Sequence, residues 1–139
     1  MSSPPLTTRE YAYFSISGPG RHDAITDKLG REPSEAWSEG DPRPRGGTYQ
    51  LMRWRLDSGL PDTEPLEKHI ESLLLILPAH TLTLRELALD YDLFIQCVGY
   101  YAPSGHGAHL NRDVVRRAAQ LGLAFDLDFY YVDDYGHDG

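Results

Sequence analysis

The sequence predicts an α+β fold, a two-layer sandwich in which helices cover one face of a mainly antiparallel sheet of about five strands. Three observations carry this expectation. Strand-like segments alternate apolar and polar residues at period two, as in a sheet covered on one side. Between them lie segments whose apolar residues recur at helical spacing. Their order, β-α-β-β-α-α-β-α-β, holds two β-α-β-like pieces and is ferredoxin-like in part, with an added element.

The elements follow in chain order. Residues 1–9 begin rich in Pro, Ser and Thr and read as a loose N-terminal arm. Residues 11–17, "YAYFSIS", have strand composition, with Phe14 and Ile16 facing a core, and Gly18-Pro19-Gly20 stops them. Residues 22–29 form a short helix through Ile25 and Leu29, Gly30 sits where a left-handed cap is wanted, and Pro33 bars continuation. A brief strand is expected within 34–40, turned by Gly40-Asp41; its Trp37 either packs on the sheet or stands exposed.

After Gly46-Gly47, "TYQLMRWRL" alternates, with Gln50, Met52, Trp54 and Leu56 on the core face and Tyr49, Leu51, Arg53 and Arg55 opposite. Gly59 and Pro61 close it. The helix beginning at "EPLEKHIESLLLIL" takes Pro65 in its first turn, buries Leu66, Ile70, Leu73, Leu74 and Leu77, and ends at Pro78. Thr83 with Glu86 fits a capping box for a second short helix carrying Leu84, Leu87 and Ala88. "YDLFIQCVGYY" reads as a strand. Asn111 caps "RDVVRRAAQL", Leu110 and Val115 are spaced as a hydrophobic staple, and Gly122 ends the helix. The last strand alternates Phe125, Leu127, Phe129 and Tyr131 against Asp126, Asp128 and Tyr130. One domain over residues 10–133 is expected, followed by an acidic tail at 134–139.

At 139 residues and 40% hydrophobic content, folding buries about two-thirds of the surface the unfolded chain exposes. Thirteen Lys+Arg against 21 Asp+Glu give a net charge of -8, which argues against general nucleic-acid binding and toward a basic protein partner. The charge is polarised: Arg43, Arg45, Arg53 and Arg55 crowd one stretch, whereas Asp126, Asp128, Asp133, Asp134 and Asp138 share a segment with no cation. Cys97, the single cysteine, has no internal partner, and no signal segment opens the chain, so a cytoplasmic address is expected. The longest apolar run, residues 73–77, is far short of the ~20 needed to cross a bilayer. No membrane association and no cofactor are expected.

"YFSISG", "ITDKLGREPSEAWSEGD", "RWRLDSG", "LEKHIESLL" and "LAFDLDFYYVDD" together resemble the bacterial family catalogued as domain of unknown function 4279. The spacing of Leu29, Gly30 and Pro33, the Gly40-Asp41 pair, Trp54 and the Glu67-x-His69 step carry the resemblance, and Ser34 departs from the expected Thr. The family has no established reaction, so the resemblance implies a fold and transfers no catalytic residue. Some families of this size and kind act as immunity proteins beside secreted toxins, an analogy only.

Candidate chemistry is sparse. His106 and His109, with His69 and His137 elsewhere, are imidazoles that zinc could use, but CxxC and HExxH are missing, and exposed loop histidines are the plainer reading. Asp126, Asp128, Asp133 and Asp134 offer oxygens to calcium or magnesium, although the two strand positions lie roughly 7 Å apart. Cys97 with His69, or Ser104 with His106, could be written as nucleophile and base without any local signature. "GPGRHDAI" could cradle a phosphate, but it has neither the lysine of a GxxxxGK loop nor a complete GxGxxG, and a strand-to-helix turn is the favoured reading.

The stronger signature is a binding one. Tyr49, Arg53 and Arg55, with Trp37 and Arg43, form an exposed aromatic and cationic candidate surface, while Trp54 is assigned to the core. The main reading is a non-enzymatic protein-binding module, immunity-like, whose acidic groups such as Asp126, Asp128, Asp133 and Asp134 steer a basic partner. The alternative is a ligand-binding or metal-dependent enzyme with a polar site in the 102–111 loop. A homodimer through an edge strand is compatible with the sequence and unranked.

Overall fold

The computed structural model describes residues 8–102 and 107–132. Ser104, His106, the first seven residues and residues 133–139, with Asp133, Asp134 and His137, lie outside that description. The elements are β1 (Arg9–Gly18), α1 (His22–Leu29), β2 (Glu35–Trp37), β3 (Met52–Asp57), α2 (Leu66–Ile76), a 3-10 turn (Leu77–His80), α3 (Thr81–Leu87), β4 (Asp92–Tyr101), α4 (Arg112–Gln120) and β5 (Ala124–Tyr131). This is the order expected from the sequence.

The sheet runs β2-β3-β1-β4-β5. Its first four strands are antiparallel neighbours in ferredoxin-like order. α4 then returns the chain so that β5 lies parallel to β4, which is the added element. Alternation on the strands puts one face under the helices: Phe14 pairs with Leu56 and Ile95, and Ile16 with Trp54 and Leu93, all buried. From α2, Leu66, Ile70, Leu73 and Leu74 pack into the same core together with Ile25 and Leu29 of α1. Trp54 is fully buried and gives its indole N–H to the Thr26 hydroxyl at 3.0 Å, which removes the cost of an unpaired buried donor.

The helix ends follow their cap chemistry. Gly30 adopts φ 66° and returns its N–H to the Thr26 carbonyl. Asn111 accepts the Val114 N–H at 2.9 Å, and α4 closes in a Schellman motif, with Gly122 N–H on the Ala119 carbonyl and Leu123 N–H on the Ala118 carbonyl. Val115, the expected staple partner, stands 49% exposed while Leu110 packs against the core.

Two expectations are corrected. α3 begins at Thr81, not beyond Thr83, because the chain leaves α2 through the 3-10 turn and the helical path continues; Thr81 donates its hydroxyl to the Pro78 carbonyl, and among the described residues no side chain caps α3. A helix entered from a preceding turn has fewer orphan amides for a Thr83 cap to satisfy. β3 begins at Met52, so Tyr49 and Gln50 belong to the preceding loop and Gln50 is exposed instead of core-facing. There Tyr49 N–H bonds the Asp41 carbonyl, Gly40 N–H bonds the Tyr49 carbonyl, and Pro42 bridges Thr48.

Candidate functional site

Small residues on β1 prepare the sheet face opposite the helices. Ser15 lies between Arg55 and Phe94, and Ser17 between Arg53 and Asp92. Their short side chains leave room above the central strand for the long cationic ones of β3. The Arg55 guanidinium lies 3.7 Å from the Tyr13 ring centre and bonds Asp57 at 2.9 Å; that of Arg53 lies 5.8 Å from Phe94 and 6.0 Å from Trp37. Both arginines are half-buried, with their guanidinium groups against aromatic rings.

Trp37 is neither core nor bare. It is half-buried and stacked on Tyr49, ring centres 4.3 Å apart and planes 13° from parallel. Arg43 lies 5.5 Å from the far Tyr49 ring. A continuous ladder, Arg43, Tyr49, Trp37, Arg53 and Phe94, thus runs from the 41–49 loop across β2 and β3 to β4, joined by stacking and cation–π contact. A shallow hollow of about 180 Å³ opens beside Trp37, Tyr49 and Arg53, smaller than the ~300–1,000 Å³ of typical small-molecule sites.

The far side of the same face is acidic. Asp126 and Asp128 of β5 are exposed in register with Gln96 and Val98, and Gln96 donates to the Asp128 carboxylate at 2.9 Å. At the end toward residue 9, Arg9 lies 4.7 Å from the Tyr100 ring, and Tyr100 stacks on Tyr130 at 5.2 Å. Sequence reasoning brought forward Trp37, Tyr49, Arg43 and Arg53, which the fold joins in one ladder, Arg55, which lies over Tyr13 instead, and Asp126 and Asp128, which it sets apart from them. It missed Tyr13, Phe94 and the Arg9-Tyr100-Tyr130 group. The signal for Phe94 was present: it alternates with the buried Leu93 and Ile95.

The catalytic and metal alternatives find less support. His69 is fully buried, its Nδ1 2.6 Å from the Ser58 hydroxyl; Ser58 Oγ also accepts the Leu60 N–H, and Ser72 donates to the Ser58 carbonyl. These bonds fasten the "DSG" turn after β3 to α2. Cys97 is equally buried, and burial, followed by the Asp126 charge, pushes its thiol up to about 12, which suppresses the nucleophilic thiolate. Exposed His109 borders a hollow of about 150 Å³ with Glu67 and Glu71. Among the described residues no group of three or more His, Cys, Asp or Glu is placed to hold a metal. The phosphate cradle is already filled, since Gly20 N–H bonds the Glu39 carboxylate and His22 N–H the Ser38 hydroxyl.

Fold and face together define an α+β sandwich of ferredoxin-like strand order, extended by a parallel fifth strand and bearing an aromatic and charged open sheet surface. The family model described as domain of unknown function, DUF4279, matches residues 7–132, and the chain belongs to that family. No curated protein and no solved structure matches the chain.

Proposed function

We propose that the chain is a non-enzymatic protein-binding module that meets its partner with the open sheet face. The ladder from Arg43 to Phe94 carries this reading: aromatic and arginine side chains, held flat and partly ordered before binding, lose little conformational freedom on contact and are the residue types enriched in interface hot spots. Asp126 and Asp128 steer the basic part of the partner, in keeping with the net charge of -8. An immunity-like role in the cytoplasm, in which this face holds a basic toxin domain, is the version that the charge favours.

A photo-crosslinking residue placed at Gln50 or Asp126, on the face, is expected to trap one protein from the native lysate. The same probe at Leu82 or Leu89, exposed on the helical side, is expected to trap none, and Trp37→Ala with Arg53→Ala to abolish the face crosslink. Equal crosslinking from both sides would overturn the reading. Finding no partner, with neighbouring genes that never encode a toxin, would sink the immunity version.

A further inference from the structure

β5 is the last strand of the sheet, and among the described residues no strand pairs with its outer side. β2, at the opposite edge, is only three residues long, whereas β5 pairs with β4 over eight residues, from Ala124 opposite Phe94 to Tyr131 opposite Tyr101, without a bulge. In a parallel ladder every second residue turns its N–H and C=O away from the neighbouring strand, so β5 directs a row of donors and acceptors outward. Sheet edges of this length are commonly blunted by proline, a bulge or charged side chains; "AFDLDFYY" has neither proline nor bulge, and its only charges are the carboxylates of Asp126 and Asp128. Its side chains are unusually exposed for strand apolar groups, Leu127 at 50% on the helical side and Tyr130 at 50% on the open side.

We infer that the outer edge of β5 docks a strand of a partner protein in which lysine or arginine alternates with apolar residues. The alternation on β5 specifies it: Asp126 and Asp128 point to the open face, where they meet the partner's cations, and Phe125, Leu127 and Phe129 point to the helical face, where its apolar residues extend the core. The same carboxylates disfavour a second copy of this chain. Antiparallel self-pairing about Asp126, Leu127 or Asp128 sets aspartate directly against aspartate, which is destabilising.

This inference deepens the protein-binding reading above by giving the partner's chemistry and its mode of attachment, and its test is separate from the ladder residues. An end-capped fluorescent octapeptide alternating lysine with valine is titrated into the full chain by anisotropy, with two control peptides. One has the same residues in separate lysine and valine blocks; the other is alternately N-methylated, which removes ladder donors and leaves charge intact. The alternating peptide is expected to bind at least about tenfold more tightly than either control and to slow amide exchange within residues 124–131. Asp126→Asn with Asp128→Asn, which leaves Gln96 an acceptor, is expected to weaken it by about tenfold. Equal binding of the N-methylated peptide, or exchange slowing at residues 37–55, would overturn the edge assignment. A concentration-dependent dimer in sedimentation, with slowing at 124–131 and no peptide binding, would assign the edge to a second copy and also overturn it. Loss of peptide binding with the face crosslink retained refutes only this inference; loss of the face crosslink refutes the broader reading.

Discussion

Thr26 and Trp54 show how much one polar contact can hold inside an apolar core. Thr26→Val keeps the shape but leaves the buried indole N–H without its acceptor, so unfolding free energy is expected to fall by about 1–3 kcal/mol, measured as a lower urea midpoint at unchanged slope. Cys97 offers a chemical check. With its thiol raised from 9.0 to about 12, it should resist a thiol reagent at pH 8 in the folded protein and react on unfolding. The sign for stability follows: the unfolded thiol ionises first, so Cys97 contributes stability that is fully present below pH 9.0 and lost as pH rises toward about 12. Tyr101 adds to the same alkaline loss, because burial, then the charge and hydrogen bond of Glu10, raise its hydroxyl from 10.0 to about 12. Replacing Cys97 by Ala should flatten part of that decline in urea titrations between these limits. Gly99 belongs at this scale too: a Cβ there would sit 2.4 Å from the Tyr101 ring, which leans back along the strand.

At the scale of elements, caps separate what local sequence decides from what the chain path decides. Asn111→Ala removes the acceptor for the Val114 N–H and should cost about 1 kcal/mol. Thr83→Ala, at a site where sequence suggested an equal cap, should stay within about 0.5 kcal/mol, because Thr83 lies inside α3. Chemical denaturation of the two variants side by side tests the assignment. The β3 boundary teaches the same lesson: "TYQL" has strand composition, but its Tyr49 amide and carbonyl are taken by the 40–41 turn, which moves Tyr49 out of the strand and onto Trp37. The corner that begins with Gly30 and Pro33 is therefore structural in its backbone and supplies the ladder through its Trp37 side chain.

Across the whole molecule, charge separates along one sheet face: arginines over β3 and its loop, carboxylates on β5. For a partner of the kind proposed, the association rate should fall on the order of tenfold from low salt to roughly 0.5 M salt. Asp126→Asn with Asp128→Asn should slow association and flatten that salt dependence, whereas Trp37→Ala should chiefly speed dissociation. Stopped-flow and surface-binding kinetics distinguish the two. Dependence on salt that survives loss of both aspartates would place the steering charge elsewhere.

Fold class, element order, the core stripe of α2, the Gly30 and Asn111 caps and the burial of Trp54 were all legible in the sequence, because period, capping chemistry and β-alternation are local properties that neighbouring residues impose. The site was only half legible. Arg53 and Arg55 could be assigned to the outer face by parity alone, but that they lie over Tyr13, Phe94 and Trp37 depends on which strands flank β1 and on serines there being small enough to let them cross. The separation of Asp126 and Asp128 from that ladder, and the open edge of β5, depend on the parallel return through α4. Strand order joins residues far apart in the chain, and no local pattern of side chains encodes that distance; tertiary packing alone decided it.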